Sequence, residues 1–407
     1  MAGTSASFET PTDDKKVVLG TPLDMALSCI LHQSHQRQCI LVSPILGTGQ
    51  LPTPQISRMA VYLDDTQKPC FVGTVGGGNM EGQCRDHAVC MLRTPSMPSV
   101  ASIAFTVHDD CSNDFIGSTR FLFERADSHD DALEAIMAIR SRPFTVGVEI
   151  VKVGPYSDPT ARCQRMVLAV DPRTDKLESI SGCVDTDDET RASLQARALA
   201  LSRGVHMELT TLRTDPAEWF LYTIAPRPSL FVFGAGHVGQ EVVYSMARSG
   251  FVIHIIDDRQ DIMDAADLPT NTIKHVVSFD PASPVPFFGT KTLELEASDP
   301  VRAFVVIMSR GHSADVDILH HISTHMTPRY VGMMASKGKA ARAVEKLRSR
   351  GVGQEWIDSI KCPIGLPLGG DTPGEIAISI AAQLVLEWRG GRKHFADQGA
   401  LYDVIHG

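Results

Sequence analysis

One segment limits the possible folds of this chain more than any other. The apolar run Leu230–Phe233 leads directly into Gly234-Ala235-Gly236-His237-Val238-Gly239, and apolar residues at helical spacing continue to Ser249. Glycines in that order permit a tight turn, close approach of the backbone to a ligand, and close packing of the following helix on the preceding strand. A second apolar run, Val252–Ile256, ends at Asp257-Asp258, and Asp257 stands 18 residues beyond Gly239. The helix start offers unpaired N–H groups and the positive end of its dipole to a phosphate. Asp257 is placed to accept bonds from a ribose hydroxyl pair and to disfavour a 2′-phosphate. His237, inside the turn, either meets the ligand or caps the loop.

Strand-like and helix-like segments alternate from there on. Strands are expected at Thr272–Val277, Ala303–Met308 and Tyr330–Met333, with helices at Ala314–Met326 and Lys339–Arg350 between and after them. Such alternation implies a parallel sheet with right-handed crossovers, so 229–390 is expected to be a doubly wound, Rossmann-like domain. Loops at the carboxyl ends of its strands are where ligands bind. They carry Ser309-Arg310-Gly311-His312, with His312 a site candidate, and Ser336, Lys337 and Lys339, which read either as an electropositive helix start or as a solvated basic face. Asp371 precedes Thr372-Pro373-x-Glu375, which spells a helix cap with proline in the first turn and a capping box; Asp371 has a further claim to reach the ligand.

The proline pair in Ala225-Pro226-Arg227-Pro228 marks the junction between two domains, since neither residue continues a helix or a central strand. A chain of 407 residues exceeds one ordinary core. The preceding domain, 16–225, reads as mixed α/β. A helix starts at Thr21-Pro22, and strands follow at Cys39–Ser43, Met59–Leu63 and Phe71–Val75. A helix runs over about Met80–Leu92, and strands recur at Ser102–Val107 and Arg120–Phe123. Beyond Asp131–Ile139 (helix) come strands at Thr145–Val153 and Met166–Val170, a helix at Thr190–Ser202, and strands at Met207–Leu212 and Phe220–Ile224. The second glycine-rich loop lies here. Gly76-Gly77-Gly78 is costly in chain entropy and reads as an oxyanion or pterin-phosphate cradle, with Glu81 either touching the ligand or only complementing the helix dipole.

Composition narrows the function classes. A net charge of -10 argues against nucleic acid as the main partner. Nine cysteines without a C-x-x-C fit neither a disulfide framework nor a zinc site. Cys84 and Cys111 are candidates for handling sulfur, though inert buried thiols are the plainer reading. His321 and His325 share a helix face, but no H-E-x-x-H occurs and no dedicated metal site is expected. Met1–Lys16 is polar and acidic, and no run of about 18 apolar residues exists. A cytoplasmic protein with reduced thiols and no membrane attachment is expected.

Five motifs in order resemble the xanthine dehydrogenase accessory family of the XdhC/CoxI type. They are Gly73–Glu81, Phe233–Gly239 with Asp257-Asp258-Arg259, Ser309–His312, Tyr330–Lys337 and Pro363–Ala377. The family's first-domain Arg and a later Gly are Thr53 and Ile56 here; Arg58 is the residue at hand to compensate. The resemblance implies a carrier of molybdenum cofactor, a homodimer. Such a protein protects the cofactor, supports its sulfuration by a cysteine desulfurase and inserts it into a xanthine dehydrogenase type molybdoenzyme. It implies cofactor contacts at Gly76, Gly77, Gly78, Glu81, Gly234, Gly236, His237, Gly239, Asp257, Asp258, His312, Ser336, Lys337 and Asp371. Both glycine loops are expected to face one interdomain cleft. No nucleophile–base pair is legible. The alternative is an NAD-dependent oxidoreductase that holds NAD, or another nucleotide, through Asp257.

Overall fold

A computed structural model describes residues 21–33, 36–49, 57–108, 115–126, 130–140, 145–153, 163–171, 174, 176–203, 209–214, 217–279, 300–310 and 312–390. Its first half runs α1 Pro22–Gln33, β1 Cys39–Gly49, β2 Met59–Leu63, β3 Pro69–Gly73, α2 Gly78–Arg93, β4 Val100–His108, β5 Phe115–Ala126 and α3 Asp131–Arg140. It continues with β6 Val146–Val153, β7 Gln164–Asp171, β8 Lys176–Gly182, α4 Asp188–Ser202, β9 Leu209–Thr214 and β10 Ala217–Ile224.

These strands make two antiparallel sheets, ordered β3-β2-β1-β5-β4 and β8-β7-β6-β10-β9. Alternation along β1 sends Ile40 and Val42 to the α2 face and Cys39 and Leu41 to the other. On the second sheet α4 covers the outer face, with Leu194 and Ala198 against Val148 and Ile150. The inner faces meet through Ile45, Leu122, Val151 and Phe220, and α1 and α3 wedge in beside them.

That inner layer is unusually charged. Arg58 is paired with Glu149, Arg165 with Glu124, and Arg140 with Asp24, all buried. Tyr222 Oη donates to Pro44 O at 3.0 Å, tying one sheet to the other, and the Arg58 guanidinium lies 5.0 Å from the Tyr222 ring centre. Arg58 is thereby committed to the core and is not a surface substitute for the family arginine. Thr53, Ile56 and Cys111 lie outside the described residues.

The second half runs β11 Ser229–Phe233, α5 His237–Met246, β12 Val252–Asp257, α6 Gln260–Ala265, β13 Ile273–Val276, β14 Ala303–Ile307, α7 His312–His325, β15 Tyr330–Met333, α8 Lys337–Ser349, α9 Gln354–Ser359 and α10 Pro373–Arg389. The sheet is wholly parallel in the order β13-β12-β11-β14-β15. One face packs on α5, α6 and α10 through Val242, Met263, Ile380 and Trp388. The other packs on α7, α8 and α9 through Leu319, Leu347 and Ile357. The domain is doubly wound, as its strand–helix alternation predicts. Three elements escaped the sequence reading: the exposed β8 and the six-residue helices α6 and α9, too short or too polar to show a period.

Two of the three glycines in the turn are sterically compulsory. A Cβ on Gly239 would stand 1.9 Å from Gly234 O, and one on Gly234, whose φ is +120°, would stand 2.5 Å from Met308 O. Gly236 differs: its φ is −69° and a Cβ there meets nothing within 4 Å.

Packing leads to two tests. Gly239→Ala is expected to destabilise the chain by ~1–3 kcal/mol in denaturant unfolding, as overpacking does, whereas Gly236→Ala changes it by under ~0.5 kcal/mol. Asp24 supplies the pH test. Burial opposes its ionisation, but Arg140 and Thr21 hold its carboxyl below the usual range. A depressed folded-state pKa gives stability that is present above the unfolded value of about 3.9 and is lost as pH falls through the folded value. Asp24→Asn is therefore expected to cost ~3 kcal/mol at pH 7, with the gap to the unmodified chain closing below about pH 4.

Candidate functional site at the carboxyl edge of the parallel sheet

The chain leaves β11 on one side, builds β12 and β13, then returns to place β14 on the other side. The crevice where the order reverses, between the ends of β11 and β14, is where a sheet of this kind holds ligands. Gly234–His237 forms one wall and Met308–Arg310 the other, with Met308 N donating to Phe233 O at 2.8 Å.

Gly236 caps α5 with no side-chain cap bond. The amides of Gly236, His237 and Val238 find no partner among the described residues, and the space above Gly236 is open. The three amides and the dipole of α5 form a cradle for an anion. The His237 imidazole is exposed and makes no hydrogen bond among the described residues, so it does not cap the loop there. Gln240 Nε2 does part of that work, donating to Ala235 O at 2.8 Å.

Asp257 occupies a different place from the one expected. It is 2% exposed. One oxygen accepts from Ala235 N at 2.7 Å and from Arg259 Nη2 at 2.9 Å; the other accepts from Arg259 N and Nε at 3.1 and 2.8 Å. Burial opposes its charge, yet Arg259 and the Ala235 amide hold its carboxyl below the usual range. Asp257 thus latches the glycine turn to the end of β12 and has no oxygen left for a ribose. The carboxylate at the rim is Asp258, its side chain 38% exposed. Burial first, then the bond and charge of Asp257, raise its carboxyl.

Arg310, at the tip of β14, is the cation that the sequence reading passed over while choosing His312 two residues on. Its side chain is exposed, without a partner among the described residues, and close enough to Asp258 to act on its ionisation. The motif Ser309-Arg310-Gly311-His312 was the signal for it. His312 begins α7, and its side chain lies outside the described residues. Beneath the tip, Ser309 donates to Asp315, which also pairs with Lys339; both contacts are buried or nearly so and brace the β14 and β15 loops together.

Ser336 caps α8, its Oγ accepting from Lys339 N at 3.3 Å, and Lys337 is exposed at the helix start. Glu375 accepts from Asp371 N and Thr372 N, both at 3.0 Å, which completes the capping box of α10 and leaves the Asp371 side chain exposed. The carboxyl edge therefore gathers Gly234, Gly236, His237, Gly239, Asp257, Asp258, Ser336 and Lys337, while Asp371 flanks α5 at the start of α10. Gly374 lies beside Glu241 of α5.

The first-half loop is built otherwise. Gly76, Gly77 and Gly78 all take positive φ, at +130°, +79° and +65°. Glu81 folds back beneath them, accepting from the Thr74 hydroxyl, from Val75 N at 3.1 Å and from Gly77 N at 3.0 Å, and it also pairs with Arg85. Gly76 N donates to Thr74 Oγ1 at 3.2 Å. Burial opposes ionisation of Glu81, but Thr74 and the two amides keep its carboxyl below the usual range. Of the three glycine amides, that of Gly77 is held by Glu81 and that of Gly76 by Thr74. The amides of Gly78, Asn79 and Met80 find no partner among the described residues. Cys84 beneath is buried, its thiol pushed up to about 12 by burial and by Glu81, which makes it a poor nucleophile.

Contacts joining the halves include Thr21 with Gly250 and Arg227 N with Arg140 O at 3.3 Å. Both sit at the amino edge of the parallel sheet, roughly 15 Å from its carboxyl edge across five strand residues. None of the described contacts brings the Gly76–Gly78 loop to that edge. His321 and His325 stack at 4.0 Å, and no group of three or more His, Cys, Asp or Glu among the described residues is arranged to hold a metal ion. Among the same residues no helix is long and apolar enough to cross a membrane.

The turn, the Asp257 latch and the switch-point crevice coincide with a known domain family, whose description is the XdhC Rossmann domain and whose match spans residues 230–384. That half of the chain is similar to the family; the match does not extend to the antiparallel half. The uncharacterized protein YqeB of Escherichia coli is 29% identical over 167 residues, 41% of this chain and 28% of that protein. A Bacillus subtilis protein described as a probable subunit of xanthine dehydrogenase is 22% identical over 189 residues, 44% of this chain and 47% of that protein. The chain thus matches less than half the length of either relative. A crystal structure of a xanthine dehydrogenase from Bacillus halodurans aligns with a TM-score of 0.64 and 18% identity over 91% of this chain and 96% of that one. Its fold is shared across both halves.

The latch and the rim of the parallel-sheet domain predict opposite responses. Asp257→Ala strands the Ala235 amide and Arg259, and is expected to lower stability by about 2–3 kcal/mol. Asp258→Ala is expected to stay within about 0.5 kcal/mol. Equal losses in urea unfolding would contradict these roles.

Proposed function

We propose that this chain is an accessory protein of a xanthine dehydrogenase system and that its XdhC domain carries a phosphate-bearing cargo, the molybdenum cofactor, at the carboxyl edge of the sheet. The observation that carries this reading is the open cradle at α5: three amides without partners among the described residues, clear space over Gly236, and the exposed cation Arg310 across the crevice. A phosphate ester fits that donor set, its oxygens taking the amides and its charge meeting Arg310. The relatives named for xanthine dehydrogenase supply the biological setting.

The division of labour among this chain's residues is then specific. Gly236, His237 and Val238 bind the phosphate. Arg310 and Lys337 raise the local anion concentration in a chain of net charge -10. Asp257 and Gly239 hold the cradle in shape. Many moderate contacts of this kind allow release, as a carrier requires. Insertion into a molybdoenzyme, support of sulfuration with a cysteine desulfurase, and a homodimeric state extend the same proposal. The Gly76–Gly78 loop has a lesser part in it than its sequence suggested, since Glu81 holds the Gly77 amide and Thr74 that of Gly76. The oxidoreductase reading loses its named contact, because Asp257 is buried under Ala235 and Arg259.

Gly236→Leu tests the proposal. The φ of −69° suits any residue, so the fold is retained while the side chain fills the cradle. Protein purified from a cofactor-producing host is expected to retain about tenfold less molybdenum and oxidised pterin than the unmodified chain, with a thermal midpoint within a few degrees. Unchanged cofactor content in a folded Gly236→Leu chain contradicts the proposal.

A further inference from the structure

A cavity of about 950 Å³ opens in the first half between the two antiparallel sheets. Its size falls within the range of sites that enclose a small organic molecule. Strand register shows which of its side chains point inward. Leu41 lies in the inner layer and stands opposite Glu124, so Glu124 faces the same way. Arg165 stands opposite Val151, and Ser181 opposite Val167, and both partners belong to that layer. Asp130, just before α3, lines the cavity beside them.

These side chains converge on one guanidinium. Arg165 Nη2 pairs with Glu124 Oε1, Nη1 lies 3.5 Å from Asp130 Oδ2, and Nε lies 3.6 Å from Glu149 Oε1. Arg165 is 6% exposed, yet neither its Nε nor its Nη1 makes a hydrogen bond among the described residues. Ser181 Oγ makes none either. A buried donor without a partner is costly, so such a group calls for one from water or a ligand. Acceptor capacity is left over as well. Asp130 Oδ1 caps α3 by accepting from Ala132 N and Leu133 N at 3.1 and 3.4 Å, which leaves Oδ2. Only Oε1 of Glu124 is engaged, which leaves Oε2.

Charge and donor count select the guest. Glu124, Asp130 and Glu149 surround Arg165 and Arg58, an excess of one negative charge that disfavours an anion. A cation would meet the unused N–H groups of Arg165. A hydroxyl suits both sides at once, since its oxygen accepts from the guanidinium while its proton goes to a carboxylate. With a carboxylate on each flank of the guanidinium, two neighbouring hydroxyls are accommodated. We infer that this inter-sheet cavity binds an uncharged polyol, a small sugar or cyclitol, by two adjacent hydroxyls held at Arg165, Glu124 and Asp130. The inference goes beyond the carboxyl-edge reading and does not depend on it.

Calorimetric titration of the full chain with D-glucose, D-ribose and myo-inositol tests it, with cyclohexanol and gluconate as comparators. At least one of the three polyols is expected to bind, the strongest identifying whether a sugar or a cyclitol is preferred. Cyclohexanol, which has a single hydroxyl, and gluconate, which is an anion, are expected to bind at least about tenfold more weakly. Asp130→Asn keeps the α3 cap but puts an amide in place of the acceptor carboxylate. It is expected to weaken polyol binding about tenfold, with a thermal midpoint within a few degrees. Ser181→Trp, which fills the cavity from β8, is expected to abolish binding. The Gly236→Leu chain is expected to bind the polyol as the unmodified chain does, which separates this inference from the carboxyl-edge proposal. No binding of any of the three polyols at about 10 mM, cyclohexanol or gluconate binding as tightly as the best of them, or unchanged affinity in folded Asp130→Asn and Ser181→Trp chains overturns it.

Discussion

The 1.9 Å that separates a Cβ on Gly239 from the Gly234 carbonyl is the constraint on which the second half is built. Only a residue without a side chain lets α5 come down on the end of β11. Once it does, the first amides of α5 stand at the sheet edge beside the end of β14. Asp257 then fixes the geometry from the neighbouring strand by taking the Ala235 amide, and Arg259 neutralises the carboxylate where it lies buried. Backbone sterics, a charge-assisted bond and one ion pair together create an anion cradle before any anion arrives. That preorganisation is what makes binding by backbone amides effective.

The first half solves a different problem. Its two sheets pack face to face with guanidinium–carboxylate pairs inside the layer, where apolar pairs of equal volume would cost less desolvation. Breaking a pair is expensive while keeping it adds little, so such charges specify alignment more than they stabilise. Arg58–Glu149, Arg165–Glu124 and Arg140–Asp24 each join different elements: β6 to the residue before β2, β7 to β5, and α3 to α1. Slipping any of these by one residue would turn a buried charge away from its mate.

The legibility of this chain tracks the range of the interactions. The parallel half was readable because its signals are local: a glycine pattern, strands buried on both faces, and a cap such as Thr372-Pro373-x-Glu375, which forms as its letters imply. The antiparallel strands were readable one by one, but their assembly into two sheets was not, because β1 pairs with β5 across some eighty residues. The site shows the same split. That Gly236 would stand open follows from the motif. That Asp257 would turn inward to Ala235, leaving Asp258 at the rim, depends on a contact between two strand ends and is invisible in either segment alone. Glu81 was misjudged for a related reason. A glutamate in the first turn of a helix looks the same whether it faces solvent or folds under its own loop.

The contrast between the two glycine loops decides where the cargo reading rests. Both place a helix start at the end of a strand, and both use glycine to do so. In one, the carboxylate of Glu81 already occupies the position an anion would take, with two amides and a hydroxyl satisfied. Displacing it would strand a buried charge beside Arg85, at a cost a phosphate contact does not recover. In the other, the acidic residue that could have played that part is one strand away and is satisfied by Arg259, so the amides of α5 stay vacant. Both helix starts keep three first-turn amides without partners among the described residues, but only the one at α5 stands in a switch-point crevice across from an exposed arginine, and that is why the cargo proposal rests there.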